Sequence, residues 1–423
     1  MKASAYDVLK IKDFRSYLLA RTFITFGVNV LGTVVGWQIY EYTKDTFSLG
    51  LIGLAEFAPF LIVTLIGGYI ADIFDRKIII QTCIFLYAAC AFALFMISTS
   101  YAYILDSYGV MPIYFIIGLT GLVRGFLGPA QTAFAAQLVP KELFTNAVTW
   151  STTSWHISSI GGPAIGGILY GISKGAWSSY LVVTILALIG LLLLLTIKSR
   201  HEVAPKENVT ASGARQEEIP KESFFQNIKT GTDFVFKNQV ILGSLALDMF
   251  AVLFGGAVAM LPAFAKDILH LGPEGLGIMR AAPAVGALVM AVILSYHPPV
   301  NNSGKILLYS VGGFGICTIL FAVSTNYWFS LIMLAGTGFF DNVSMVIRGT
   351  VIQIFTPNEM RGRVSSVNSL FIGSSNELGA FESGLAAKFM GLVPSVVFGG
   401  TMTLIVVLTT WLKAPKLRSL NLQ

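Results

Sequence analysis

Apolar and polar positions alternate along this chain in long blocks rather than at strand or surface-helix periods. Twelve runs of mostly apolar residues stand near 17–40, 49–70, 78–98, 112–138, 145–169, 179–197, 240–265, 275–295, 305–323, 327–355, 364–390 and 395–412. Each reaches the roughly 20 residues that a helix needs to cross a bilayer. The pattern therefore predicts an all-α membrane protein with twelve transmembrane helices. An even number of spans places both termini on one side. The longest polar interruption is Lys198 to Asn238, between the sixth and seventh runs. His201 to Pro220 is charged and poor in apolar residues, which predicts a flexible linker. Phe224, Phe225, Ile228, Val235 and Phe236 then recur near helical spacing, which predicts an amphipathic helix on the inner membrane surface. The expected organisation is a six-helix bundle over 1–197, a cytoplasmic linker over 198–238 and a second six-helix bundle over 239–423.

Composition agrees with that class. The chain has 423 residues, 55% of them hydrophobic and only 12% charged, with a mean hydropathy of +0.74. A soluble chain of this length could not hide so much apolar surface. If the N-terminus is inside, inner segments hold 20 of the 28 Lys and Arg and outer segments four: Lys44, Lys174, Lys266 and Lys388. The bias predicts cytoplasmic termini. It also accounts for the +6 net charge without a nucleic-acid partner. Cys83, Cys90 and Cys317 all sit in apolar runs and read as small packing residues. The sequence has no phosphate-binding Gly-x-x-x-x-Gly-Lys loop, no His-Glu-x-x-His and no Gly-x-Ser-x-Gly. No cofactor, metal or enzymatic activity is expected, and no ATP cradle is present to supply energy.

The two halves echo each other at an offset of 217. Pro140-Lys141-Glu142 aligns with Pro357-Asn358-Glu359, Gly121 with Gly338, Gly167 with Gly384, and Arg124 with Asp341. Duplicated six-helix halves place a substrate site between them near midplane.

Between the second and third runs lies Gly67-Gly68-Tyr69-Ile70-Ala71-Asp72-Ile73-Phe74-Asp75-Arg76-Lys77. Four charges within six residues cannot lie in hydrocarbon, so the stretch reads as a tight inner turn. Asp72 can accept from a helix N-terminus, and Arg76 and Lys77 can tie the turn to other charges. With Gly68, Asp72, Arg76 and Lys77 at that spacing, the turn resembles the signature loop of the major facilitator superfamily. Ile73 and Asp75 depart from that pattern, and Asp75-Arg76-Lys77 is similar to a variant of its enterobactin-exporter-like branch. The fifth run holds Gly162-Pro163-Ala164-Ile165-Gly166-Gly167, which resembles the fifth-helix signature of proton-coupled exporters. Arg124 to Gly128 partly resembles the superfamily's fourth-helix motif. Three further stretches resemble the same branch: 247–250, 276–283 and 376–384.

The resemblance implies the major facilitator fold: two pseudo-symmetric six-helix bundles that switch a central site between the two membrane faces. It implies export of a small organic molecule, siderophore-like or amphipathic and drug-like, by proton antiport across a bacterial inner membrane. Protons, a small-molecule substrate and the lipid bilayer are the expected partners, and a monomer is expected. Proton-coupled uptake is the alternative, and a lipid-moving protein a more distant one. Gly68, Asp72, Arg76, Lys77, Gly162, Pro163, Gly166 and Gly167 are expected to serve gating. If the first, fourth, seventh and tenth helices line the cavity, Asn29, Arg124, Asp248 and Asp341 face it, and Glu377 is a further candidate for substrate or proton coupling. A charge at mid-membrane costs about 3 kcal/mol unless paired or hydrated, so Arg124 either faces the cavity or pairs with an acid, Asp341 or another. Burial favours a neutral carboxyl and a neighbouring Arg its charged form, so an acid beside Arg can carry a proton. Asp248 or Asp341 is the first expectation for that role. Glu56 and Arg280, near the outer ends of their runs, are expected to reach towards water. His156 is expected to be a hydrogen-bonded packing residue.

Overall fold

A computed structural model of the chain describes residues 6–99, 103–197, 224–357 and 360–422. Over 65–73, over 224–229 and at Lys141 and Gly362 it describes the backbone alone. The expected linker over 201–220 and the pair Asn358 and Glu359 lie outside the described residues.

Twelve long helices cross the molecule. They are α1 Lys12–Thr43, α2 Thr46–Ile73, α3 Arg76–Ile97, α4 Met111–Leu138, α5 Phe144–Ser173, α6 Trp177–Leu195, α7 Gln239–Ile268, α8 Pro273–Tyr296, α9 Ser303–Ala322, α10 Tyr327–Phe355, α11 Arg361–Met390 and α12 Leu392–Lys413. Among the described residues there is no strand. Ten of the twelve are long and apolar enough to qualify as membrane spans on their own. The other two, α5 and α11, carry Ser and Asn along their length, joined by Thr and His156 in α5 and by charged residues in α11. These two also obey the sequence repeat, since their bounds differ by the same offset of 217. A helix that faces a cleft needs less apolar surface than one that faces lipid.

Many large apolar side chains along the spans are left uncovered, among them Ile62, Phe85, Ile172, Leu192, Val292 and Leu412. In water such a surface would aggregate; in a bilayer it is the solvated face. In the first bundle α2 packs on α4, α1 on α5 and α6, and α3 on α4 and α6; in the second α8 packs on α10, and α9 on α10 and α12. The offset has a physical meaning here. Gly121 of α4 lies on the Glu56 carbonyl of α2, and Gly338 of α10 lies on the Pro283 carbonyl of α8. Each is a crossing that a Cβ would block. The three cysteines are buried and free.

Two elements depart from the expected pattern. The seventh span is not one uninterrupted α-helix. It breaks at Gly255-Gly256, resumes at Ala257–Ala263 and ends in a π-helical turn, Phe264–Ile268. A Cβ on Gly255 would stand 2.5 Å from the Phe314 ring, and one on Gly256 2.7 Å from the Gly379 carbonyl. The break is where α7 is pressed between its neighbours. The amphipathic helix does form, over Phe224–Lys237, but it docks on protein as well as facing outward. Val235 is fully buried, Gly231 lies against Arg363 of α11, and Phe236 remains 59% exposed.

Candidate functional site

The halves meet through two helix pairs, α2 with α11 and α5 with α8. Both contacts are glycine-lined and both lie towards the end that carries Lys44, Lys174, Lys266 and Lys388. A Cβ on Gly384 would lie 2.6 Å from Gly50 Cα, and one on Gly53 2.6 Å from the Glu377 carbonyl oxygen. Gly167 lies against the Pro273 carbonyl, and a Cβ on Gly277 would lie 2.5 Å from the Pro163 carbonyl oxygen. Small residues let the backbones approach this closely. The Gly-Pro-x-x-Gly-Gly run therefore splits by task. Gly162 and Gly166 pack α5 on Asn29 and Val30 of α1 inside the first half, whereas Pro163 and Gly167 meet the other half. The helix is continuous through Pro163.

Polar ties reinforce the closed end. The π-turn of α7 presents Lys266 and Asp267 to the first half. The Tyr40 hydroxyl donates to Asp267, Lys266 Nζ stands 3.9 Å from a Glu41 carboxylate oxygen, and the same ammonium lies 5.5 Å from the Trp37 ring. Lys388 of α11 lies 4.4 Å from the ring of Phe47 on α2.

Below that closure is a cavity of about 280 Å³, lined among others by Asn29, Glu56, Tyr87, Arg124, Arg280 and Glu377. Arg124 is held between two carboxylates. Its guanidinium lies 2.8 Å from Glu56 of its own half and 2.6 Å from Glu377 of the other. It also lies 4.9 Å from the Phe60 ring. Arg280 of α8 donates to the Gly32 carbonyl of α1 at 2.9 Å. Two arginines and two glutamates thus balance in formal charge, with two polar links across the halves. The Tyr87 hydroxyl is buried at this cavity without a partner.

Arg124 both faces the cavity and pairs with acids, and of the candidates these are Glu56 and Glu377 rather than Asp341. Two expectations change. Glu56 and Arg280 do not reach out to water. They turn into the cavity, because Gly121 seats α4 on the Glu56 backbone and so brings Arg124, one turn along, beside the Glu56 side chain. That glycine three residues before Arg124 is the signal in the sequence that could have found the pair. Asp248 and Asp341 do not line the central cavity. Asp248 forms a buried ion pair with Arg348 of α10 and accepts from Ser344 Oγ at 3.4 Å. Asp341 shares a small void of about 10 Å³ with Asp248, Val252, Phe314, Phe340 and Ser344. The break at Gly255-Gly256 and the α7–α10 packing hold this cluster within the second half.

A larger cleft of about 680 Å³ opens between the halves at the opposite end. Arg21 of α1, Phe144, Trp155 and His156 of α5, Ser295 of α8 and Asn342 of α10 are among its walls. His156 is buried, with Nδ1 unpartnered, so it is not the hydrogen-bonded packing residue expected.

At the turn between α2 and α3 the side chain of Asp72, with Gly67 and Gly68, lies outside the described side chains. Asp75 caps α3, accepting from the Lys77 amide at 2.8 Å. Lys77 Nζ donates to the Ile197 carbonyl at 2.6 Å, tying the turn to the end of α6.

Two six-helix bundles, glycine-sealed at one end and parted at the other around a charged cavity, define a transporter of the major facilitator superfamily. The chain belongs to the transmembrane secretion effector family, whose model it matches over residues 3–423. Its curated relatives include the enterobactin exporter EntS of Salmonella typhimurium, 27% identical over 410 residues, covering 96% of this chain and 93% of that protein. The enterobactin exporter EntS of Shigella dysenteriae is 24% identical over 397 residues, covering 93% and 89%. Among solved structures, a D-xylose–proton symporter superposes with a TM-score of 0.72 at 14% identity, covering 96% of this chain and 99% of that one. A bacterial homologue of the iron transporter ferroportin, in an inward-facing state, gives 0.70 at 16% identity, covering 98% and 100%. At these identities the structures bear on the fold alone.

Proposed function

We propose that this protein is a secondary active exporter of a small organic molecule, driven by proton antiport and alternating access in a bacterial inner membrane with both termini cytoplasmic. The observation that carries the reading is Arg124 between Glu56 and Glu377, one carboxylate from each half. On the Lys and Arg bias the sealed end is outer and the parted end inner, so the structure corresponds to an inward-open state. In that state the Arg124–Glu377 tie helps hold the outer end shut. Substrate arriving from the inner cleft competes with Glu377 for Arg124 and loosens the tie, while Glu56 keeps Arg124 paired. Once the outer end opens, a proton entering from that side takes the substrate's place at the Glu56–Arg124–Glu377 cluster, and it leaves to the inner side as the tie between the halves reforms. Asn29 and Tyr87 are placed to contact solute in the central cavity, and Asp248 with Arg348 serves the second half's own packing. The names of the curated relatives support the outward direction and the siderophore-like substrate class.

Everted membrane vesicles test the reading. With the lumen acidified, they are expected to accumulate substrate from a panel of siderophore-like and amphipathic compounds, and to stop when the gradient is collapsed. Accumulation only with the opposite gradient would make the protein an uptake symporter. Gradient-independent movement of labelled lipid would mark a lipid-moving protein.

A further inference from the structure

The open cleft carries charge of one sign. Among the described residues its walls hold Arg21 and no Asp or Glu. Two features make it more than a gap between bundles. First, its cation and its aromatic wall are set side by side by a specific contact. Thr22 Oγ1 of α1 meets Ser154 Oγ of α5 at 2.6 Å, and Ser158 Oγ donates to the Thr22 carbonyl at 3.2 Å. Arg21 and Trp155 are the next residues on each helix, and both line the cleft. The indole is 43% exposed. Second, Asn342 on the far wall is 5% exposed, and its Oδ1 has no hydrogen-bond donor. Asn342 is itself one of the cleft-lining residues, and its terminal amide torsion is soft. A buried acceptor without a donor is a cost that a ligand hydroxyl can remove.

From this arrangement we infer that the inner cleft selects an amphipathic organic anion with an aromatic ring. Arg21 takes the anionic group, the Trp155 indole takes the ring face, and Asn342 takes a hydroxyl of the ligand. Phe144, Val148, Leu294 and Met345 give the cleft apolar wall that suits the body of such a molecule, interspersed with the hydroxyls of Thr132, Ser151, Thr152 and Ser295. A cationic solute finds no counter-charge there and meets Arg21. The inference rests on the transport reading only in taking the cleft as the substrate's entrance.

Binding to the purified full chain in zwitterionic nanodiscs tests it, with three probes that differ in one substituent: naphthoate, naphthamide and (naphthylmethyl)trimethylammonium. Naphthoate is expected to bind about tenfold or more tighter than either of the others, the scale of one charge-assisted contact. Arg21→Gln is expected to erase that preference and leave naphthamide affinity unchanged, whereas Arg21→Lys keeps it. Trp155→Ala is expected to weaken all three by a similar factor. Equal binding of the three probes, a preference for the ammonium, or a preference that survives Arg21→Gln would overturn the inference. Failure of the transport reading would look different: Arg21-dependent naphthoate binding with no gradient-driven movement of any probe in proteoliposomes.

Discussion

Replacing Gly277 by alanine adds one methyl group where α8 crosses α5. The new Cβ would stand 2.5 Å from the Pro163 carbonyl oxygen and 3.2 Å from Ala164 Cα. Ordinary contact begins at 3.4 Å, and the obstacle is backbone, which cannot swing away as a side chain can. The two helices must separate by several tenths of an ångström. Overpacking of this kind costs about 1–3 kcal/mol. The cost falls only on the conformation in which α5 and α8 touch, so the equilibrium shifts away from the sealed outer end. At about 1.4 kcal/mol per decade, that is a roughly 5- to 150-fold rise in the ratio of outer-open to outer-closed molecules. Spin labels on Tyr108→Cys and Trp328→Cys report it. Both positions are about 70% exposed, at 70% and 71%, one in each half at the sealed end. The distance distribution is expected to gain a longer component in Gly277→Ala. Gly312→Ala is the control, because a Cβ there meets nothing within 4 Å. If the two variants give the same distribution as the parent, the glycine contact does not determine which end is open, and the reasoning fails.

Three further outcomes are expected. Arg124→Gln removes the guanidinium that ties Glu56 to Glu377 and for which substrate competes, leaving Arg280 as the cavity's cation, so gradient-driven transport and substrate counterflow should both be lost; wild-type rates of either would contradict the role given to the cluster. Asp248→Asn strands a buried guanidinium and should destabilise the protein by about 3–5 kcal/mol in a mild denaturant titration, with Asp248→Leu combined with Arg348→Met recovering most of the loss; a neutral Asp248→Asn would show that the pair contributes nothing. Asp72→Asn should slow turnover more than it weakens substrate binding, measured by initial rates against equilibrium binding, and equal rates would make the α2–α3 turn a connector only.

What the residues reveal of this protein differs by scale. Twelve spans, the duplicated halves and the family could be read from the residues, because bilayer thickness imposes a minimum length on every apolar run and the repeat leaves glycines at matching positions. The offset that pairs Gly121 with Gly338 and Gly167 with Gly384 is visible as letters, and each pair proves to mark equivalent helix crossings. The partners of Arg124 were not legible. Glu56 stands 68 residues before it and Glu377 lies in the other half, and a carboxylate near the end of an apolar run looks the same whether it points to water or inward.

The covalent order therefore determined how many helices form, where they turn and which small residues let them touch, since those properties depend on local hydrophobicity and side-chain volume. Tertiary packing alone decided that Arg124 sits between Glu56 and Glu377 while Asp248 is spent on Arg348. Charge pairing in a membrane depends on which helix faces bring groups within about 3–4 Å, and that distance exists only after the two bundles have closed on each other.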